Sequence, residues 1–161
     1  DIIVRRFQKR IFDLVFRIVR DFDETSDIAQ ETFIRAHAQL KGFRGASSLY
    51  TWMYRIALNL SLNHLRKKKL RSFFSFDDPA VAEPKAQGGP DEDLAASQIR
   101  DQVGKAIERL PTRQRSIFIL RQYDRLSHRE IAEVLGCSQG NVRAGYFHAL
   151  KKLRAMLKEY L

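Results

Sequence analysis

The segment from Phe43 to Lys69 joins two kinds of side chain that few binding sites need together. Aromatic residues flank a Gly/Ser loop at its start, and residues 66–69 form a run of four cations at its end. Aromatic rings offer flat faces on which unpaired bases stack, and cations follow a phosphate backbone. The segment therefore predicts a surface that holds nucleic acid whose strands have separated.

A polar stripe lies along the helix that apolar spacing predicts over residues 49–69. The stripe contains Arg55, Asn59, Asn63 and Arg66, with Trp52 at its edge. Trp52 fits either a core position or a stacking position, and its place beside the Gly/Ser loop favours stacking. The cations at 66–69 are typical of a solvated helix end, but the high overall charge favours contact with phosphate.

A second motif lies in the C-terminal third. Ser127-His-Arg-Glu130 is a capping box that opens a short helix to Leu135. Gly136 supplies the left-handed turn, and Ser138 caps the next helix. Helix, glycine turn and helix at this length predict a helix-turn-helix, whose second helix enters the major groove of duplex DNA.

The second helix of this motif has an outward face rich in cations and polar groups. Arg143 suits a bidentate contact to guanine, Phe147 suits a thymine methyl, and Lys151 suits phosphate. The predicted contacts to duplex DNA are Ser138, Gln139, Asn141, Arg143, Phe147, His148 and Lys151.

Composition indicates a polyanionic partner, because the 161 residues carry a net charge of +10. Nucleic acid and an anionic membrane surface both fit this charge. No apolar run is long enough to span a bilayer, and no signal peptide is visible. The single cysteine, Cys137, and four dispersed histidines provide neither a disulfide nor a metal site. We expect a cytoplasmic protein without a cofactor and without catalytic activity.

Charge also divides the chain. Residues 1–75 carry a net charge of +8, residues 76–97 carry −5, and residues 98–161 carry +7. The middle segment is rich in Pro and Gly and predicts a flexible acidic linker. The fold class expected is all-α, with two small helical domains at 1–75 and 98–161. The alternating charge leads to the hypothesis that the two domains close on each other.

With both domains laid out, the chain closely resembles the extracytoplasmic-function (ECF) group of bacterial RNA polymerase sigma factors, within the sigma-70 family. Three stretches carry the resemblance: Asp27 to Ala36 (DIAQETFIRA), Phe43 to Asn59, and Leu110 to Arg115 together with Leu126 to Gly136. They are similar to the polymerase-docking helix, the element that melts and reads the −10 promoter element, and the domain that reads the −35 element.

The resemblance implies a role for each matching position. Asp27, Gln30, Glu31 and Ile34 face the polymerase core, at the clamp of the β′ subunit; without the resemblance, Asp27 and Glu31 are ordinary acids near a helix start. Phe43, Arg44, Ser47, Ser48 and Tyr50 lie in the loop that captures a flipped base. Trp52, Arg55, Asn59 and Asn63 lie beside the separating strand. Ala144, Gly145 and His148 replace the polar and basic residues common on the recognition helix, and Asn63 stands where relatives usually have Asp.

The predicted function is therefore promoter-specific initiation of transcription with core polymerase, in a stress or envelope response under an anti-sigma partner. The partners expected are core polymerase, duplex and melted promoter DNA, and that anti-sigma factor, with no membrane insertion. Two alternatives stay open. One is a helix-turn-helix regulator that acts without polymerase. The other is a recombinase or transposase, although no catalytic constellation is visible in the sequence.

Overall fold

The computed structural model describes residues 1–74 and 94–160. Within these ranges the chain is all-α, as predicted. Seven α-helices occur in them: α1 (Ile2–Val19), α2 (Phe22–Gln39), α3 (Leu49–Phe74), α4 (Leu94–Glu108), α5 (Thr112–Gln122), α6 (His128–Leu135) and α7 (Gln139–Met156). Short 3-10 turns follow α2 (Leu40–Gly42) and α7 (Lys158–Tyr160). None of the described helices is both long and apolar enough for a bilayer span.

The first module, α1 to α3, is a three-helix unit built on helical spacing of apolar residues. Phe7, Ile11, Leu14 and Ile18 lie on one face of α1 and are buried. Buried hydroxyls in α2 and α3 donate to the carbonyl four residues earlier, as Thr32 does to Ile28 and Ser61 does to Ala57, both at 2.8 Å. The hydroxyl groups of these small buried residues are therefore hydrogen-bonded where the helices meet.

The second module, α4 to α7, contains the predicted helix-turn-helix. The Ser127 Oγ accepts from the Glu130 amide at 3.1 Å, and the Glu130 carboxylate accepts from the Ser127 amide at 2.7 Å. Gly136 ends α6 with φ of 66°, and the Ser138 Oγ then accepts from the Asn141 amide at the start of α7. The capping box, the left-handed glycine and the second cap are all confirmed.

The two modules pack against each other and share one continuous apolar core. Helix α1 lies against α5, and α3 lies against α6. The Tyr54 hydroxyl on α3 donates to Asp124 Oδ1 at 2.7 Å, and Arg20 Nε lies 2.8 Å from Glu108 Oε1. The Arg17 guanidinium lies 4.6 Å from the ring centre of Tyr123. The described modules are therefore closed on each other, as hypothesised. Most of the predicted linker at 76–97, residues 76–93, lies outside the described residues.

Three boundaries differ from the sequence prediction. Helix α2 begins at Phe22, not near Thr25 or Ser26, because Asp21 Oδ1 accepts from the Glu24 amide at 2.9 Å. Helix α3 continues to Phe74, five residues beyond the predicted end. Helix α4 begins at Leu94, inside the segment assigned to the linker.

Candidate nucleic-acid interface

The start of α3 is fixed by its own loop. The Ser48 Oγ accepts from the Thr51 amide at 3.0 Å, which makes Ser48 the N-cap of the helix. Gly45 has a φ of 73°, a conformation that glycine adopts without strain. The ring of Phe43 then lies 5.0 Å from Trp52 between centroids. The loop therefore positions an aromatic pair, and one of its predicted base-capturing hydroxyls is occupied by capping.

The polar stripe is present on α3 as a continuous exposed strip. Arg55, Asn59, Asn63 and Arg66 are all exposed, and Trp52 is half-buried at the edge. The stripe lies opposite the buried face that carries Tyr54 and Leu58, among others. The structure thus brings these predicted residues together on one face, with the aromatic pair at one end and the cations of residues 66–69 at the other.

Tyr50 is not part of that face. Its ring lies 4.1 Å from Tyr54 and 6.2 Å from Phe7 on α1, both between centroids. Burial raises the pKa of the Tyr50 phenol above its usual range, so its hydroxyl stays protonated and can donate. Tyr50 is therefore on the opposite side of α3 from Trp52, although both were predicted to serve one strand.

A wide cleft of about 740 Å³ separates the stripe from the second module. Asn59 and Arg66 lie on one wall, and Arg109 and Arg113 lie on the other. These two arginines, on either side of Pro111, were not among the predicted contacts, although Arg113 lies within the Leu110–Arg115 stretch that carries the family resemblance. A Cβ placed on Gly136 would come within 3.4 Å of Arg55 Nη2, so the turn of the second module lies directly beside the stripe.

The predicted polymerase-docking residues form a ridge on α2. Asp27, Gln30 and Ile34 are exposed, and Glu31 is half-buried with its carboxylate 2.7 Å from Arg35 Nε. Gln30 and Ile34 border an apolar groove of about 560 Å³ between α1 and α2. Asp27 and Glu31 border a more polar groove of about 380 Å³ on the α3 side, which Asn63 also lines.

Helix α7, the predicted recognition helix, presents its predicted contact residues to solvent. Phe147 is 62% exposed, which places it off the core, and its ring lies 5.6 Å from His148. All seven predicted contacts, Ser138, Gln139, Asn141, Arg143, Phe147, His148 and Lys151, are exposed. Ser138 is engaged by capping, as Ser48 is on α3. The face is therefore assembled in one place and uncovered by the first module.

Gly145, which departs from the family pattern, has a packing reason. A Cβ at this position would lie 2.5 Å from Cδ1 of Ile117, a buried residue of α5. Glycine in mid-helix costs about 1 kcal/mol relative to alanine. The close approach of α5 and α7 explains why the chain tolerates that cost.

Two family models match the chain, in the order in which the two surfaces occur. Sigma-70 region 2 matches residues 3–71, and Sigma-70 region 4 matches residues 100–153. The first match covers the stripe and the α2 ridge, and the second covers the helix-turn-helix.

Curated relatives match over most of their own length. An RNA polymerase sigma-H factor of Pseudomonas aeruginosa is 36% identical over 170 residues, covering 99% of this chain and 88% of the relative. An ECF RNA polymerase sigma-E factor of Escherichia coli K12 is 37% identical over 156 residues, covering 92% and 81%.

Solved structures share the fold. The sigma factor RpoE of Bartonella quintana, in complex with the anti-sigma factor NepR, matches with a TM-score of 0.74 at 23% identity over 96% of this chain and 94% of that one. CnrH in complex with the cytosolic domain of CnrY matches with a TM-score of 0.72 at 22% identity, over 98% and 86%. Taken with the family models and the curated relatives, the chain belongs to the ECF group of sigma-70 RNA polymerase sigma factors.

Proposed function

We propose that the chain is a promoter-specificity subunit that binds core RNA polymerase and directs initiation at its own promoters. The observation that carries this proposal is the pairing of two surfaces on one chain. One is the exposed stripe with its aromatic pair on α3, suited to an opened strand. The other is the exposed face of α7, suited to the major groove. A helix-turn-helix regulator without a sigma role needs only the second surface.

The first module holds the non-template strand as the −10 element opens. Unstacking a base costs a few kcal/mol, and stacking on an aromatic side chain returns about 1 to 3 kcal/mol per base. Trp52 and Phe43 provide that stacking face, and Arg44 and Ser47 lie in the adjoining loop. Arg55 and Arg66 hold phosphates along the stripe, with Asn59 and Asn63 between them as hydrogen-bonding groups.

The α2 ridge docks on the polymerase, at the clamp of the β′ subunit. Its exposed Ile34 beside an apolar groove supplies contact area, and Asp27, Gln30 and Glu31 supply polar complementarity at the edge. An interface of this composition, apolar at the centre and polar at the rim, is typical of specific protein contacts.

The second module reads the −35 element by inserting the start of α7 into the major groove. Arg143 contacts a base edge, Phe147 an apolar base group, and Lys151 the backbone. The free α7 amides at the Ser138 cap add a favourable site for phosphate.

We further propose that the chain acts in the cytoplasm under an anti-sigma factor, in a stress or envelope response. One solved protein that shares the fold, RpoE of Bartonella quintana, is in complex with the anti-sigma factor NepR, and another, CnrH, is in complex with the cytosolic domain of CnrY. Such a partner could act by holding the two modules together, because the stripe on α3 then stays beside the second module.

The decisive experiment is run-off transcription with the full chain and bacterial core polymerase, on templates selected for binding. We expect a new transcript that core polymerase alone does not make. Ile34→Ser should reduce the yield of this transcript by lowering the affinity for core polymerase. Ile99→Ser is the control and should leave the yield unchanged, because Ile99 on α4 is exposed to a similar extent as Ile34. A chain that binds selected duplex tightly but leaves core polymerase unchanged is a regulator of the helix-turn-helix type, and the proposal is then wrong.

A further inference from the structure

The inter-module cleft is the space of about 740 Å³ between α3 and the second module, and its charges are all of one sign. Arg66 and Lys69 lie on its α3 wall, and Arg109, Arg113 and Arg115 lie on the opposite wall, at the start of α5. None of the described residues that line the cleft is acidic. Its volume lies within the range of about 300 to 1,000 Å³ that small-ligand sites occupy.

The cations of the cleft differ from those elsewhere on the molecule in having no carboxylate beside them. On α1, Lys9 Nζ lies 2.7 Å from Asp13, one helical turn away, and on α2 Arg35 is paired with Glu31 in the same way. In the described part of the chain, four exposed cations of the cleft have no ion-pair partner: Arg66, Lys69, Arg109 and Arg113. Closure brings these like charges together from two modules, and a cleft lined by one sign of charge concentrates anions.

The α5 wall also presents backbone donors. Helix α5 begins after Pro111, no side chain caps its first amides, and its first turn contains no acid. Unpaired amides at a helix start favour a bound anion, and here they adjoin the arginines. Arg115 holds this wall in place, because its guanidinium donates to the Glu108 carbonyl and, across the module boundary, to the Ile18 carbonyl. The donors of this wall are therefore fixed before any ligand arrives.

The rest of the lining is apolar. Five residues from both modules provide it: Leu62, Leu65, Leu110, Pro111 and Leu135. A phosphate chain alone makes no use of this surface, whereas a flat ring attached to the phosphates is removed from water against it. The two modules pack on each other around the cleft, so it admits a small ligand and excludes a duplex. Arginines and helix-start amides suit phosphate oxygens, and the leucines suit a base.

We propose that the inter-module cleft binds a nucleoside polyphosphate, with its phosphate chain between the two cationic walls and its base against the leucines. The ligand neutralises cations of both modules at once, so it stabilises the closed molecule. This site concerns the free chain and requires neither polymerase nor promoter, so the inference goes beyond the proposed function.

The test is isothermal titration calorimetry of ATP into the full-length chain in magnesium-free buffer, without polymerase. Three double variants each remove two positive charges: Arg66→Gln/Lys69→Gln from the α3 wall, Arg109→Gln/Arg113→Gln from the α5 wall, and Arg6→Gln/Arg10→Gln from α1 as the control. We expect one ATP per chain, affinity about tenfold weaker in either wall variant, and a change below about threefold in the control. All six residues are exposed, so the fold should survive each change.

The ligand class is tested with two further probes in the same assay. Inorganic tripolyphosphate should bind about tenfold more weakly than ATP because it lacks the base, and AMP should bind more weakly still because it lacks the phosphate chain. Equal losses in the wall variants and the control mean that ATP responds only to overall charge, and the site is then refuted. A loss confined to one wall refutes a ligand that bridges the modules, and tripolyphosphate that binds as tightly as ATP refutes a nucleotide. None of these outcomes changes the transcription result that decides the proposed function.

Discussion

The hydrogen bond between Tyr54 and Asp124 offers a direct way to measure closure of the two modules. Asp124 is half-buried, and its buried Oδ2 has no hydrogen-bond partner, so the Tyr54 hydroxyl is its one donor in the described part of the chain. Tyr54→Phe removes that donor and leaves a buried carboxylate without any. A hydrogen bond to a charged group contributes about 1.5 to 3 kcal/mol. The ratio of open to closed chains should therefore rise about 10- to 150-fold.

Single-molecule energy transfer can read this ratio from dyes on Gln39→Cys and Lys158→Cys, two exposed positions in different modules, in a Cys137→Ser background. Tyr123→Phe is the matched control, because its ring, and not its hydroxyl, contacts Arg17 of the first module. If Tyr54→Phe and Tyr123→Phe open to the same extent, the buried bond is not what holds the modules.

Burial of the same Asp124 carboxyl makes closure depend on pH. Burial raises the pKa of the Asp124 carboxyl above its ordinary value of 3.8. Protonated Asp124 is thus favoured in the closed state, so closure is most stable below pH 3.8 and weakens as pH rises through the raised pKa. Asp124→Asn cannot ionise and should remove this dependence in the same energy-transfer assay. A pH response in Asp124→Asn equal to that of wild type would assign the effect to another group.

Three further substitutions test the DNA surfaces and the packing of α7. Trp52→Ala should cost about 1 to 3 kcal/mol of promoter opening, seen by permanganate reaction of unpaired thymines, with little loss of closed-complex binding. Arg143→Ala should relax preference at one upstream base pair by about 1 to 3 kcal/mol in a binding selection. Gly145→Ala should lower the thermal midpoint, because overpacking against Ile117 costs about 1 to 3 kcal/mol and outweighs about 1 kcal/mol of helix propensity.

Each of these has its own control. Trp52→Phe keeps an aromatic face and should keep most of the opening; equal loss of opening and binding in Trp52→Ala contradicts a melting role. Lys151→Ala should weaken all sequences alike, and an unchanged preference in Arg143→Ala removes its assignment to a base. Ile117→Val should restore stability to Gly145→Ala, and a raised midpoint in Gly145→Ala alone argues against the clash.

The parts of the fold that could be predicted depend on nearby residues. Ser127 and Glu130 satisfy each other's backbone amides within one turn, so the capping box was readable from four letters. The start of α2 could not be predicted in this way, because four nearby residues are all acceptable N-caps: Asp21, Asp23, Thr25 and Ser26. Tertiary packing decides among them: Thr25 is fully buried and donates to the Asp21 carbonyl at 2.6 Å, which places it inside the helix.

The candidate site divides in the same way. The stripe on α3 follows from helical geometry alone, so its residues were found together. The direction of Tyr50 depends on α1, and the contact of Tyr54 with Asp124 joins residues 70 apart in the chain. Periodicity within one element cannot report which elements meet, so the inter-module cleft and the bond between the modules became visible only in three dimensions.

The closed arrangement sets a limit on how tightly the chain can engage a promoter. The 25 positions between −35 and −10 correspond to roughly 85 Å of duplex at 3.4 Å each, and in the function proposed the two modules must separate to reach both elements. In the function proposed, only molecules whose two modules have separated can bind the −35 and −10 elements together. The apparent affinity for the promoter is therefore reduced in proportion to the fraction of such molecules. In the function proposed, every tenfold preference for the closed form lowers the apparent affinity about tenfold, so a substitution at Tyr54 would change promoter binding while leaving the stripe on α3 and the exposed face of α7 unaltered.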